Sequence, residues 1–517
     1  MKKIVAAPKA IDMIPDGATV AVTGFVGFGV PEELLIAMEE RFLEHGSPHN
    51  LTIMYCNGMG DVKGPRGMNH LAHEGLVTRL ICGHLGMSPR LGKLVADNKI
   101  ECFSVPLGVL HQILRNTAGG KPGVLTHVGL GTFADPRIEG CKANSITKGE
   151  IVEVMSVGGK ECLFYKAFPI NVAIIRGTTA DTHGNISLEK EAMIGEQQNM
   201  AAAVRNSGGI VIVQVEQVVE YGNIRAMDVK IPGIMVDYVV VAKPENHRQT
   251  FIDELYHPEY SGRVRVPVDD LPPLPLDARK ICCRRAAMEA VQGAVVNLGV
   301  GVPEGVARVI AEEGLAHRIS LSMESGAVGG IPLGGLGIGA SINPDCILDQ
   351  GYQFDFYDGG GIDLACLGLA EADADGNLNV SKFGGRAVGP GGFINITQNA
   401  KAVVFCGTFT AGGLKETVRD GKLVIIQEGR SKKFVRNVEQ ITFSGKYAAS
   451  VGQKVLFVTE RAVFELRREG MVLVEIAPGI NLERDILQQM EFEPVIPKKL
   501  KLMDERIFVD TRMGLKI

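Results

Sequence analysis

No block of lysines and arginines runs through this chain, whose formal net charge is −5, so it carries no electrostatic footprint for nucleic acid or an anionic membrane surface. A small-molecule partner is expected. No apolar run approaches the roughly 20 residues that span a bilayer, and the opening MKKIVAAPKAID is broken by Pro8, Lys9 and Asp12 before a signal-peptide core can form. Both point to a cytoplasmic protein. The ten cysteines contain no C-x-x-C pair and no regular spacing, which favours buried free thiols over disulfides or a zinc site. Tryptophan is missing altogether, whereas glycine is abundant: 64 of 517 residues, well above the usual ~7%. Many backbone positions must therefore take positive φ or approach another group closely.

With 45% hydrophobic and 22% charged residues the chain can bury large cores, and its length fits two to four domains. The Pro-rich DDLPPLPLDARK interrupts helical and strand periodicity and reads as an extended linker. It divides the chain into residues 1–270, a linker at 271–280, and residues 281–517. On either side stand VAVTGFVGFGVPEELLIAMEERFLEHG and AVVNLGVGVPEGVARVIAEEG, each an apolar strand, a glycine turn, V-P-E and a helix. This is an internal repeat. Pro31 and Pro303 are expected to open the two helices, and Gly46 and Gly314 to close them. A second echo pairs ADTHGNIS (Ala180 to Ser187) with ADADGNLN (Ala372 to Asn379). The fold class expected is α/β, with two related open domains.

The other strand candidates, such as NVAIIRG and AVVFCGTFT, are short, continuous and Val/Ile-rich. Interleaved with helices, they indicate mostly parallel sheets covered on both faces. Ligands of such sheets sit beyond the carboxyl ends of the strands. The turns holding Gly27 and Gly29, and Gly299 and Gly301, lead into helix N-termini and offer N–H donors to an anion.

Several motifs fail on inspection. GFVGFG reverses the G-x-G-x-x-G spacing, and Gly120-Lys121 and Gly159-Lys160 lack the Ser or Thr of a P-loop. EADADG resembles a calcium loop, but Lys382 stands where the twelfth position needs Glu. His70 and His73 lack the H-E-x-x-H pattern and read as structural, so no metal is assigned. Ser325, in M-E-S-G-A, lacks the first glycine of G-x-S-x-G.

SLSMESGAVGG sets Glu324 between a β-like run and small residues. On composition alone it is a solvated loop acid. Chemically, a carboxylate with the reference pKa of ~4.3 is ionised at neutral pH and needs no general base. Its low nucleophilicity suits activated acyl compounds such as thioesters, aided by water exclusion and by donors to the oxyanion. Downstream, Gly389, Gly391 and Gly392 in GGRAVGPGGFINITQNA form a turn able to present backbone N–H groups.

Taken together, NLGVGVPEGVA, SMESGAVGG, FDFYDGGGIDLACLGLAEADADGNLNVSKFGGR and GPGGFINITQNAKAVVFCGTFTAGGLK resemble the C-terminal half of family I CoA-transferases of the single-chain acetate/propionate type. GMNHLAHEGLVTRLICGHLGMSPRLGKLVADNKIE and KPGVLTHVGLGTFADPR fit the N-terminal half. The resemblance implies a duplicated α/β fold whose halves both contribute to one cleft. It implies a cytoplasmic homo-oligomer, dimer or tetramer, with no permanently bound cofactor. Coenzyme A would be a substrate, with acyl-CoA and short-chain carboxylic acids as partners. Glu324 is the implied nucleophile and carrier of a glutamyl-CoA thioester in a ping-pong transfer. The backbone amide of Gly391 or Gly392 is implied as an oxyanion donor, with Gly389 and the turns of Gly27, Gly29, Gly299 and Gly301 near substrate. An acyl-CoA hydrolase and a non-catalytic acyl-CoA-binding protein are the alternatives on this scaffold.

One position departs from the pattern: Leu107, in FSVPLGV, aligns with the glutamine that usually gives the second oxyanion hydrogen bond. Leucine cannot donate, and losing one such donor costs about 10²–10³ in rate. Three readings follow: another group donates, the pocket takes a larger or more apolar acyl group, or turnover is poor. Leu107→Gln is expected to raise kcat/KM for acetate and propionate, and an unchanged or lower value in steady-state assays counts against this.

Overall fold

Short, largely apolar strands build the first sheet. They are β1 (Thr19–Val22), β2 (Leu51–Tyr55), β3 (Val77–Cys82), β4 (Glu101–Ser104), β5 (Val172–Arg176), β6 (Ile210–Val215) and β7 (Tyr238–Val241), in the spatial order β7-β6-β5-β1-β2-β3-β4. Every pairing is parallel. Parallel strands of this kind are covered on both faces, and Val20, Val22, Val172, Ile174 and Ile212 are accordingly fully buried. The computed structural model describes residues 3–252, 255–268 and 272–517.

The chain divides into two compact units. One takes Met1–Val266, Met323–Asp355 and Lys382–Asn395; the other takes Pro267–Ser322, Phe356–Ser381 and Ile396–Ile517. The expected split into 1–270 and 281–517 is therefore corrected, because two segments of the C-terminal half, one containing Glu324, belong to the first unit. The reading of 271–280 as an extended linker is corrected too. Residues 269–271 lie outside the described residues, and from Leu274 the chain is packed. Leu274 is buried, its N–H donates to Glu312 at 2.6 Å, and its carbonyl accepts from Lys280 Nζ at 2.7 Å. The Asp277 side chain then caps helix Ala278–Ala287 by accepting from Lys280 N at 2.9 Å.

The second unit holds β8 (Val295–Leu298), β9 (Ser320–Leu321), β10 (Leu364–Gly368), β11 (Ala402–Cys406), β12 (Lys454–Val458), β13 (Ala462–Arg467), β14 (Gly470–Ile476) and β15 (Lys501–Leu502). Their order is β9-β8-β10-β11-β12-β13-β14-β15. Pairing is parallel from β9 to β12 and antiparallel through β13 and β14. The sequence repeat now has a topological counterpart: β7-β6-β5-β1-β2 in the first sheet matches β12-β11-β10-β8-β9 in the second.

Helix α1 (Glu32–His45) follows β1 and buries Leu34, Leu35 and Met38. Gly46, at φ 68°, ends it by donating to the Phe42 carbonyl at 2.8 Å, a left-handed position that costs glycine little. Pro31 is the N-cap rather than the first helical residue. In the second copy the helix spans Gly305–Glu312, starting two residues after Pro303. The reason is that Gly305 and Val306 bond three residues back, to the Val302 and Pro303 carbonyls, so a tight turn precedes the α-helical ladder.

The second sequence echo is a duplicated turn. Asp181 accepts from His183 N, Asn185 N and Asn185 Nδ2 at 2.9, 3.0 and 2.8 Å. Asp373 does the same for Asp375 N, Asn377 N and Asn377 Nδ2 at 3.1, 3.0 and 3.0 Å. The carboxylate that resembled a calcium ligand is thus engaged within its own turn. Asp181→Ala strands these donors at a buried position and is expected to cost about 1–3 kcal/mol. Urea unfolding checks this, with Asp181→Asn expected to lose less.

Candidate active site

Glu324 lies at a tight bend. Gly326 N–H donates to the Met323 carbonyl at 3.0 Å, and Met323 N–H donates to Ala327 O at 2.9 Å. This puts Glu324 and Ser325 at the two central positions of a turn. Ser325 is fully buried and its hydroxyl donates to the Gly339 carbonyl, so it is a fastening for the turn and not a nucleophile. Glu324 is half-buried, and its carboxylate is turned away from water.

The carboxylate accepts a hydrogen bond from the Gly392 N–H. Burial pushes the Glu324 carboxyl up to about 7, and the Gly392 amide offsets only part of that shift. The expectation of a fully ionised acid at neutral pH is therefore corrected: desolvation leaves Glu324 divided between its acid and carboxylate forms there. The approach of Gly392 is so close that a Cβ on it would stand 2.1 Å from Glu324 Oε2 and 2.9 Å from Phe354 Cζ. No other residue fits.

The turn carrying Gly392 is tied down along its length. Leu85 N–H donates to the Val388 carbonyl at 2.7 Å, and Gly391 N–H donates to the Gly83 carbonyl at 2.8 Å. Helix α2 (Leu107–Ala118) contributes its N-terminal amides, which have no intrahelical acceptor. Leu107 N–H donates to Gly391 O at 3.0 Å, and Gly108 N–H donates to Asn395 Oδ1 at 3.2 Å. Of the two glycines expected to donate to an oxyanion, Gly391 is thereby excluded, because its N–H is held by Gly83. Gly392 remains. Leu107 is buried, and it acts through its backbone as a clamp on this turn.

Comparison with known proteins gives the family. The Coenzyme A transferase family profile matches residues 4–242. The caffeate CoA-transferase of Acetobacterium woodii is 48% identical, covering 100% of this chain and 99% of that protein. The acetate CoA-transferase YdiF of Escherichia coli (strain K12) is 44% identical, covering 99% of this chain and 96% of that one. The chain belongs to the family I CoA-transferases. Among solved structures, the Escherichia coli O157:H7 YdiF acyl-CoA transferase, in a thioester complex with CoA, has a TM-score of 0.94 and 43% identity, covering 99% of this chain and 97% of that one.

In this CoA-transferase the other predicted glycines have separate duties. Gly27 is buried against Phe251, whose backbone nitrogen would be 2.5 Å from a Cβ. Gly29 is also buried, and its carbonyl accepts from the Thr23 hydroxyl at 3.2 Å. None of the hydrogen bonds that fasten the Glu324 bend involves either one. Gly389 packs on the Gly83 carbonyl, 2.7 Å from its would-be Cβ. In the second unit, Gly299 N–H donates to Cys366 O at 2.8 Å, and Gly301 is exposed. His70 and His73 are engaged by carboxylates: Glu32 lies 3.0 Å from His70, and Glu39 lies 2.8 Å from His73.

Among the described residues, one buried group, Cys56, His111 and Glu196, brings metal-ligand atoms within 4.8 Å of one another. His111 Nε2 bonds Gln350 Oε1 at 3.0 Å, and burial raises Glu196 to about 8 and the Cys56 thiol well above its ordinary value. Glu196 and the Cys56 thiol are thus held protonated at neutral pH, whereas His111, pushed down to about 4 by burial, is neutral.

Two residues at the site escape sequence reasoning. Phe354 walls the Glu324 contact and stacks on His111, with ring centroids 6.2 Å apart. His84 follows Gly83 immediately after β3; the only sequence signal is a histidine in a glycine-flanked turn at the end of a parallel strand.

As a nucleophile, the role the family resemblance implies for it, Glu324 can attack a carbonyl only in its carboxylate form. The single-turnover acylation rate is therefore expected to rise with pH and reach half its plateau near 7, the value at which Glu324 is half ionised. A midpoint near the ~4.3 of a solvated glutamate, measured by rapid quench, would contradict this assignment.

Proposed function

We propose that this family I CoA-transferase carries CoA on Glu324. The observation that supports it is the Glu324 bend itself, which holds a partly desolvated carboxylate against a single backbone amide that no side chain can displace. A Glu324 oxygen attacks the carbonyl carbon of an acyl-CoA, the C–S bond breaks, and CoA leaves as the thiolate from a mixed anhydride. The thiolate then attacks the glutamyl carbonyl carbon, the first carboxylate departs, and glutamyl-CoA remains. A second carboxylate reverses these steps and takes away the CoA. In the thiolate attack the oxyanion forms on an oxygen of Glu324, where the Gly392 N–H already donates, so that bond strengthens as charge develops.

Short-chain acids such as acetate and propionate are the proposed acyl groups, in line with the relative named for acetate. The caffeate-named relative and the apolar Leu107 support a larger acid as the second reading. The exposed turn at Gly301, ahead of helix Gly305–Glu312, is proposed to meet an anionic part of CoA. Assembly as a homo-oligomer in the cytoplasm follows family expectation, and the ten free cysteines fit a reducing compartment.

Intact-mass measurement after incubation with acetyl-CoA, propionyl-CoA or caffeoyl-CoA tests the mechanism. The wild type is expected to gain a CoA-sized adduct and Glu324→Ala to gain none; no adduct with any of the three would overturn it. Comparing kcat/KM for acetate, propionate and caffeate then ranks the acceptors. Steady CoA release in the absence of any acceptor acid would favour the hydrolase alternative.

A further inference from the structure

Resting on the reading of Glu324 as nucleophile, we infer that the imidazole of His84 donates the hydrogen bond to the acyl oxyanion that Leu107 cannot provide. Two oxyanions form in the proposed reaction, on different oxygens. The one on Glu324 has the Gly392 amide. The other forms on the substrate's own acyl oxygen when Glu324 attacks, and it needs a separate donor.

The backbone donors around the turn are already committed. Gly391 N–H goes to Gly83 O, Leu107 N–H to Gly391 O, and Gly108 N–H to Asn395 Oδ1. His84 stands among them. Its Cα would lie 2.9 Å from a Cβ on Gly389, and its Cδ2 lies 4.0 Å from the Cβ position of Gly391. Gly58 and Gly86 leave room for the ring: a Cβ on them would come within 2.5 Å of Nδ1 and 2.7 Å of Cε1. Glycines thus surround the imidazole on several sides, and no hydrogen bond to either ring nitrogen exists among the described residues. His84 is half-buried, so its ring keeps an open edge.

Placement and chemistry agree. His84 lies just beyond the carboxyl end of β3 in an all-parallel sheet, where open α/β folds receive their ligands. Desolvation pushes its pKa down to about 4, so the ring is neutral at physiological pH. A neutral imidazole retains one N–H and gives it up far less readily than an imidazolium. It can polarise a carbonyl by hydrogen bonding without transferring its proton. The Nε2–H is the assigned donor, since Nε2 adjoins the Cδ2 edge that faces Gly391. No bond to the imidazole forms or breaks, and the ring leaves the cycle unchanged.

Three variants test the inference: His84→Ala, His84→Gln, and His84→Ala combined with Leu107→Gln, each matched to wild type in thermal unfolding. Adduct formation is followed in single turnover with acetyl-CoA. His84→Ala is expected to slow it by about 10²–10³, the range for one lost oxyanion donor, with little change in KM. His84→Gln keeps a donor and is expected to lose less, and Leu107→Gln is expected to restore much of the rate in the His84→Ala background. A His84→Ala rate within about threefold of wild type overturns the inference. So does an equal loss in His84→Gln with no rescue by Leu107→Gln, which would mark the ring as packing only. The wild-type adduct, measured alongside, keeps the two readings apart: if it forms, failure of the His84 variants to respond leaves Glu324 as nucleophile untouched.

Discussion

The contact between the Gly392 amide and the Glu324 carboxylate is the constraint around which the first unit is arranged. A carboxyl group withdrawn from water needs donors, and here one backbone N–H meets that need at a distance that forbids any side chain on the donor residue. Holding that amide in place requires the turn before it to be fixed. Gly83 O, Leu85 N–H and the Leu107 amide that opens α2 do this, so two separate stretches of backbone converge on five residues, 388 to 392. The cost is a weaker acid. A carboxylate paired with an arginine would be fully ionised and less basic, whereas partial desolvation retains basicity, which the proposed attack on a thioester carbonyl requires.

The fold was legible in the chain because its signals are local. Continuous Val/Ile runs, glycine turns and the repeated V-P-E helix openings each reflect a few neighbouring residues, and the matching sheet orders follow from them. Even the Asp–Asn turns at Ala180 to Ser187 and Ala372 to Asn379 kept their hydrogen bonds in both copies. What sequence could not resolve is set by distant partners. Gly391 and Gly392 are indistinguishable as letters, and only the carbonyl of Gly83 decides which amide remains available. The acidity of Glu324 depends on burial, which no reference pKa contains. The helix after Pro303 begins late because a tight turn takes the first hydrogen bonds. The unit boundary was misplaced for the same reason, since a Pro-rich stretch marks a change in chain direction but does not say where later segments pack.

Leu107 has two separate chemical aspects. As a side chain it removes a hydrogen bond. As backbone it opens α2 and holds the Gly391 carbonyl, a duty any residue other than proline can perform. The amide shapes the turn whatever the side chain does, while the buried leucine side chain is a separate matter of packing.

The first unit is not contiguous: Met1–Val266 is completed only by Met323–Asp355 and Lys382–Asn395. During synthesis, all seven strands of its sheet emerge from the ribosome well before the residues that finish the unit. Until Gly391 is made, the amide of Leu107 and the carbonyl of Gly83 lack their partners. Between residue 266 and Gly391 these two contacts stay unmade through more than a hundred further residues of translation. A ribosome that stopped between the two insertions would release a chain with Glu324 but without the Gly392 amide that meets it.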